Sequence, residues 1–170
     1  SESIDIPIIF YNVPARTCSN ISSDTCLALA NECDNILAVK ESSGDLAQIM
    51  KIIKGKPENF GVISGDDMMI IPLIASGGSG VISVLANAFP NQVSELVNHS
   101  LKNNFKSARE IHFRFMEIME LLFAEGNPSG IKAMLNNMNL CQNTLRLPLV
   151  PVSRSLYTQI QKAVEEAGKS

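Results

Sequence analysis

The sequence has no excess of charge of either sign large enough to define a function. Fourteen lysines and arginines stand against seventeen aspartates and glutamates, a net charge of -3, so there is no basic footprint for nucleic acid. It also lacks an apolar run long enough to span a membrane. The longest stretches, such as Met68 to Ala75, are broken by Pro72 and bounded by Asp67 and Gly77. No secretory signal pattern opens the chain. Cys18, Cys26, Cys33 and Cys141 show no zinc-type spacing, and a chain of this length does not need a disulfide framework. They read as buried or partly buried free thiols, which points to a reducing compartment, most simply the cytoplasm. No metal constellation, P-loop or dinucleotide fingerprint is present. His99 and His112 lie in helical segments and read as surface or partly buried residues. An initiator methionine is missing too: the chain starts Ser1-Glu2-Ser3-Ile4, almost inside a strand, and reads as a fragment of something longer.

What is present is a globular chain of 170 residues, 45% hydrophobic and 18% charged, enough for a real core. Its first half alternates short apolar runs with helical patterns. Pro7 to Tyr11, Ile36 to Lys40, Phe60 to Ser64 and Gly80 to Val84 read as strands, the first ended by Pro14. Between them, Ser22, Ser23 or Asp24 can cap a helix through Glu32. Gly44-Asp45 opens a helix carrying Leu46, Ile49, Met50 and Ile53 at helical spacing, and another runs from Asp67 to Ala75. Strands alternating with helices predict βα units and a parallel sheet. The strand runs are apolar throughout, as expected for strands covered on both faces.

After Pro90 the pattern is helical. Asn91 to Asn103 places Val93, Leu96, Val97 and Leu101 inward; Lys106 to Phe123 carries Ala108, Ile111, Phe115, Ile118, Met119 and Leu122 in one stripe. Pro128 stands near the start of a further helix. Leu145 to Pro151 must be extended, because two prolines forbid a helix. Ser153 caps a last helix with Leu156, Ile160 and Val164 inward, stopped by Gly168. The expected organisation is therefore 1–90 as four βα-type units and 91–170 as a helical region. Four parallel strands cannot close a barrel, whereas eight can, and an isolated half would leave two sheet edges unpaired.

Three strand ends carry chemistry. Lys40 ends an apolar strand; its bland reading is a lysine reaching solvent. As a nucleophile toward a carbonyl it must be neutral. Bringing a lysine from about 10.4 to the useful range of about 7–8 requires desolvation, for which Ile36 to Val39 are the expected surroundings. Tyr11 ends the preceding strand in Tyr11-Asn12-Val13-Pro14-Ala15-Arg16-Thr17. It is either a core tyrosine before a proline turn or a phenol able to shuttle protons between amine, carbinolamine and water. Arg16 is either a solvated loop arginine or a bidentate carboxylate clamp. Ser64-Gly65-Asp66-Asp67 and Gly77-Gly78-Ser79-Gly80 permit tight turns and close backbone approach to a ligand, with Asp66 or Asp67 also able to cap the next helix.

Taken in order, Tyr11 to Thr17, Val39-Lys40-Glu41-Ser42-Ser43-Gly44-Asp45, Ser64 to Asp67 and Gly80-Val81-Ile82-Ser83 resemble successive strand-end motifs of the dihydrodipicolinate synthase family, within the N-acetylneuraminate lyase superfamily. Asn127-Pro128 with Lys132, and Leu145-Arg146-Leu147-Pro148, resemble that family's C-terminal helical region. The sequence departs at Gly130, where proline is more usual, and only a local loop change is expected.

The resemblance implies an α/β fold: strands five to eight of a TIM (β/α)8 barrel plus a C-terminal helical extension. It implies a lyase in lysine and diaminopimelate biosynthesis that condenses pyruvate with aspartate semialdehyde through a Schiff base. Lys40 then matches the imine-forming lysine, Tyr11 the proton-relay tyrosine and Arg16 the arginine holding the semialdehyde carboxylate. Gly65 and Ile82 match the pyruvate pocket. No cofactor or metal is required, because the imine is the electron sink. The family is usually tetrameric. The pyruvate-orienting threonine pair, the second relay tyrosine from a neighbouring subunit and the lysine-binding regulatory surface lie upstream of this stretch. Related lyases, N-acetylneuraminate lyase and the 2-keto-3-deoxy sugar acid aldolases, share the lysine and tyrosine; Arg16 favours the dihydrodipicolinate branch. A third reading is a half-barrel interaction module without activity.

Overall fold

A computed structural model describes residues 3–167. Two compact units are formed, one from Ser1–Ser83 with Val97–Asn104 and the other from Val84–Leu96 with Phe105–Ser170. In the first, β1 (Ile8–Asn12), β2 (Ile36–Glu41), β3 (Gly61–Ser64) and β4 (Gly80–Val81) form one parallel sheet in chain order. The helical connections are α1 (Pro14–Thr17) and α2 (Ser23–Glu32), then α3 (Leu46–Gly55), then a 3-10 turn Asp67–Met69 running into α4 (Ile70–Ala75). Parallel strands need such crossovers.

Local chemistry sets the helix starts. The Ser22 side chain accepts from the Thr25 amide and the Asp45 side chain from the Gln48 amide, each satisfying a donor the first turn leaves orphaned. Asp66 does the same for Met68. Packing sets the rest. Cys26, Val39, Ile49, Ile52, Phe60, Val62 and Leu73 form the buried core of this unit, with Phe10, Ile21 and Ile36 against it. Strand side chains alternate between faces, so Phe10, Val39 and Val62 mark the helix-covered face. The other face is more open at the positions of Ile9, Tyr11 and Ile82.

The structure corrects several expectations. The fourth strand stops at Val81, and a 3-10 turn at Leu85–Asn87 follows where the apolar run suggested strand to Val84. Pro14 does more than end β1: it opens α1 as its first residue, where a missing N–H costs nothing. Met50 and Leu101, both expected inward, are exposed, while Ile52 is buried. Cys18 is exposed rather than buried.

The second unit is helical. It holds α6 (Phe105–Leu121), α7 (Ser129–Asn137) and α8 (Arg154–Ala167), while α5 (Pro90–Leu101) runs through residues of both units. Phe89 and Phe115 pack with ring centroids 4.9 Å apart, and Ile118, Met119, Leu122, Met134, Leu156 and Ile160 are buried in the same unit. His112 belongs to the buried set, not to the surface. Ser153 Oγ accepts from the Leu156 amide at 3.2 Å, the expected cap of α8; Gly168, its expected stop, lies outside the described residues. Gly130 is not in a loop. It is the second residue of α7 and presses on the Leu122 carbonyl, leaving no room for a Cβ. Close helix approach, rather than turn conformation, accounts for glycine there.

Candidate active site

Register brings the predicted residues together. Tyr11 pairs with Lys40 across β1 and β2, Lys40 with Ile63 across β2 and β3, and Ile63 with Gly80 across β3 and β4. One row therefore crosses the sheet near the C-terminal ends of all four strands. The ladder continues one step further: the Ser42 amide donates to Asn12 O, Gly65 to Glu41 O and Ile82 to Ser64 O, each at 2.8 Å. That places Gly65 and Ile82 on the same rim.

Lys40 is half-buried, and its Nζ lies 4.1 Å from the Tyr11 ring centroid, within cation–π range. Gly65 is pinned against the lysine stem. A Cβ there would come 2.8 Å from Lys40 Cε and 3.2 Å from Lys40 Cγ, and would collide with Ser42 Oγ. The Ser42 hydroxyl is buried and has no hydrogen-bond partner among the described residues. The expected apolar surroundings of Lys40 are only partly found. Val39 lies on the opposite face, fully buried in the helix-side core, because adjacent strand residues point apart. On the Lys40 side stand Tyr11, Gly65 and Ser42, with Ala38 and Ile63 on the same face by alternation and register.

Arg16 is exposed on α1. That short helix closes through Arg16 N to Val13 O at 2.9 Å and Cys18 N to Pro14 O at 2.9 Å, and ends where Cys18 takes a left-handed φ of 54°. The far end of the segment is tied back to Asn12. The Asn12 amide donates to Asn20 Oδ1 at 2.9 Å, and Asn12 Oδ1 accepts from the Ile21 amide at 3.0 Å.

Sequence reading missed what lies behind this row. Asn12, Glu41 and Ser64, the next residues along β1, β2 and β3, are buried polar side chains on the helix side. Asn12 Nδ2 donates to both Glu41 carboxylate oxygens, at 2.9 and 3.2 Å. Gln48 Nε2 donates to Glu41 Oε2 at 3.2 Å, and the Ser43 amide to Oε1 at 3.0 Å. Asn20 Nδ2 closes the network by donating to Gln48 Oε1 at 2.9 Å. Nearby, burial and then the Glu41 charge push the Cys26 thiol up to about 12. The one signal available in the sequence was polar residues standing directly after Tyr11 and Lys40 in otherwise apolar strands.

Among the described residues no cluster of three or more His, Cys, Asp or Glu is placed to hold a metal. A groove of about 420 Å³ between α6 and α8 is lined by Glu117, Glu120, Leu121, Ala124 and Gln159. It contains none of the strand-end residues.

Residues 2–167 match the family model described as the dihydrodipicolinate synthetase family. The chain belongs to that family. A 4-hydroxy-tetrahydrodipicolinate synthase of Phocaeicola vulgatus is 48% identical over 166 residues, covering 98% of this chain and 56% of the relative. The crystal structure of dihydrodipicolinate synthase from Aquifex aeolicus superposes with a TM-score of 0.96 at 40% identity, over 98% of this chain and 57% of that one. The chloride-inhibited dihydrodipicolinate synthase of Acinetobacter baumannii complexed with pyruvate superposes with a TM-score of 0.94 at 33% identity, over 98% and 57%. The α/β fold is thus that of dihydrodipicolinate synthase structures, and the chain spans about half the length of the curated relatives it matches.

Proposed function

We propose that this chain is the C-terminal half of a (β/α)8 barrel lyase that condenses pyruvate with aspartate semialdehyde to 4-hydroxy-tetrahydrodipicolinate, working as a cytoplasmic homotetramer. The observation that carries this reading is the Tyr11–Lys40 pair, with Nζ 4.1 Å from the ring centroid at the C-terminal rim of parallel strands. That rim is where barrel enzymes place their chemistry. The pyruvate complex of the Acinetobacter baumannii relative supports the first substrate, and the synthase names of the relatives support the second.

The neutral Lys40 amine attacks the pyruvate keto carbon. The oxygen gains a proton, the nitrogen loses one, and the carbinolamine expels water to leave an imine. Tyr11 is the phenol beside that nitrogen, accepting and returning these protons. The imine nitrogen takes a proton and the methyl carbon loses one, giving an enamine whose carbon bonds to the semialdehyde carbonyl carbon while the aldehyde oxygen takes a proton. The product's own amino group then attacks the resulting iminium carbon, closing the ring and expelling the Lys40 amine. Arg16 holds the semialdehyde carboxylate through two N–H donors. Gly65 and Ile82 border the pyruvate position, Gly65 by giving room to the Lys40 stem.

Borohydride reduction with pyruvate tests this in the full-length protein. The expected result is a single adduct, mapped to Lys40; an adduct elsewhere, or none, overturns the assignment.

A further inference from the structure

We infer that Glu41 is a positioning residue for this chemistry, holding Tyr11 and Lys40 in contact from behind through Asn12 and Gln48. The inference rests on the reading of Lys40 as the imine-forming amine. Glu41 follows Lys40 directly and Asn12 follows Tyr11 directly, and the two pairs face each other in register. Any sliding or splaying of β1 against β2 that separates Tyr11 from Lys40 must also separate Asn12 from Glu41.

The chemistry of the network is specific. Glu41 is 1% exposed, yet the hydrogen bonds on its carboxylate come from three neutral donors: the Asn12 amide, the Gln48 amide and the Ser43 backbone. A buried carboxylate without a cation is costly to desolvate. What a carboxylate offers is two acceptor oxygens and no donor. Both are needed, because Oε1 receives Asn12 and Ser43 while Oε2 receives Asn12 and Gln48. The network thereby fastens the end of β1 (Asn12), the end of β2 (Glu41) and the first turn of α3 (Gln48) into one block. Catalytic pairs lose rate steeply when displaced by even an ångström, so such a block acts on rate rather than on affinity.

The same geometry predicts a rescue. In Glu41→Gln the new amide nitrogen confronts a donor in either orientation. Adding Gln48→Glu removes the conflict with Gln48. The amide oxygen introduced by E41Q keeps the shorter bond from Asn12 and the bond from Ser43, its nitrogen donates to the carboxylate introduced by Q48E, and that carboxylate still accepts from the Asn20 amide. The longer Asn12 bond and the weak Gln48–Asn20 bond are given up, while Asn20 Oδ1 keeps Asn12.

The test measures imine formation at saturating pyruvate in the full-length protein, stopped with borohydride and mapped to Lys40. E41Q is expected to slow it about 10- to 100-fold at unchanged final yield. The E41Q/Q48E double variant is expected to return to within about threefold of wild type. A wild-type rate in E41Q, or a folded double variant that stays slow, overturns the inference. Should E41Q not fold, the double variant is read alone by the same criterion. Tyr11 ring resonances supply a readout free of turnover: they shift in E41Q and return in the double variant. If wild type forms no Lys40 adduct, the imine reading fails, and these resonances still decide whether Glu41 positions the pair: an unshifted ring in E41Q overturns it.

Discussion

Gly65 stands so close to Lys40 that a methyl group on its α-carbon would come 2.8 Å from the lysine Cε. The glycine is therefore part of the lysine's binding space. Gly65→Ala is expected to cost about 1–3 kcal/mol through overpacking and to turn the Lys40 stem off the rim. Thermal unfolding and the yield of pyruvate adduct check both effects; a full adduct yield would show that the stem relaxes in place.

Tyr11→Phe keeps the ring beneath the Lys40 amine and removes only the phenol oxygen. Turnover in the full-length protein is expected to fall by about a hundredfold or more, the usual worth of a proton-transfer group. The Lys40 adduct should still form on long incubation. Steady-state rates beside a borohydride time course separate the two, and unchanged turnover would remove Tyr11 from proton transfer.

Arg16 lies on a segment whose far end is held to Asn12 and is itself exposed. Arg16→Ala is expected to raise the KM for aspartate semialdehyde by about 10- to 100-fold, the loss of charge-assisted hydrogen bonds, with pyruvate adduct formation kept. Equal semialdehyde kinetics in the variant would move the substrate assignment to another branch of the lyases.

Much of this could be read from the chain, for identifiable reasons. Ser22, Asp45 and Ser153 are caps whose partners lie three residues ahead, so local chemistry announces them. Tyr11 and Lys40 stand at strand ends defined by apolar runs. The Asn12–Glu41 contact was not legible, since its partners are 29 residues apart and meet only through strand register. Apolar strands hid their own alternation, which is why Val39 was expected beside Lys40 when it faces the helices. His112, Met50 and Leu101 differ from expectation because helical spacing gives a face, not the width of what covers it.

Cys26 makes stability depend on alkaline pH. Its thiol is raised from 9.0 to about 12 in the fold, so above 9 the unfolded chain releases a proton that the folded chain keeps. Stability from this group is full below pH 9 and is expected to fall as pH rises from 9 toward 12. Denaturant unfolding across that window, compared with Cys26→Ala, measures the difference in slope. Thiol reagents at neutral pH should label exposed Cys18 before Cys26.

Ser153 joins two functions at the start of α8. Its hydroxyl caps Leu156, and its side chain and amide donate to Glu125, holding that carboxyl below its ordinary value. Ser153→Ala is expected to cost about 1 kcal/mol, measurable by denaturant titration and by faster amide exchange in the first turn of α8.

The in-register meeting of Tyr11 and Lys40 also gives the molecule a clock. These residues touch only after β1 and β2 have paired across the intervening crossover, a non-local event that closes slowly compared with helix formation. During refolding from denaturant, helical circular dichroism should recover first, and the capacity of Lys40 to be trapped by pyruvate should appear with sheet closure. Under the proposed role of Lys40, pyruvate trapping would thus timestamp the step at which the parallel sheet is assembled.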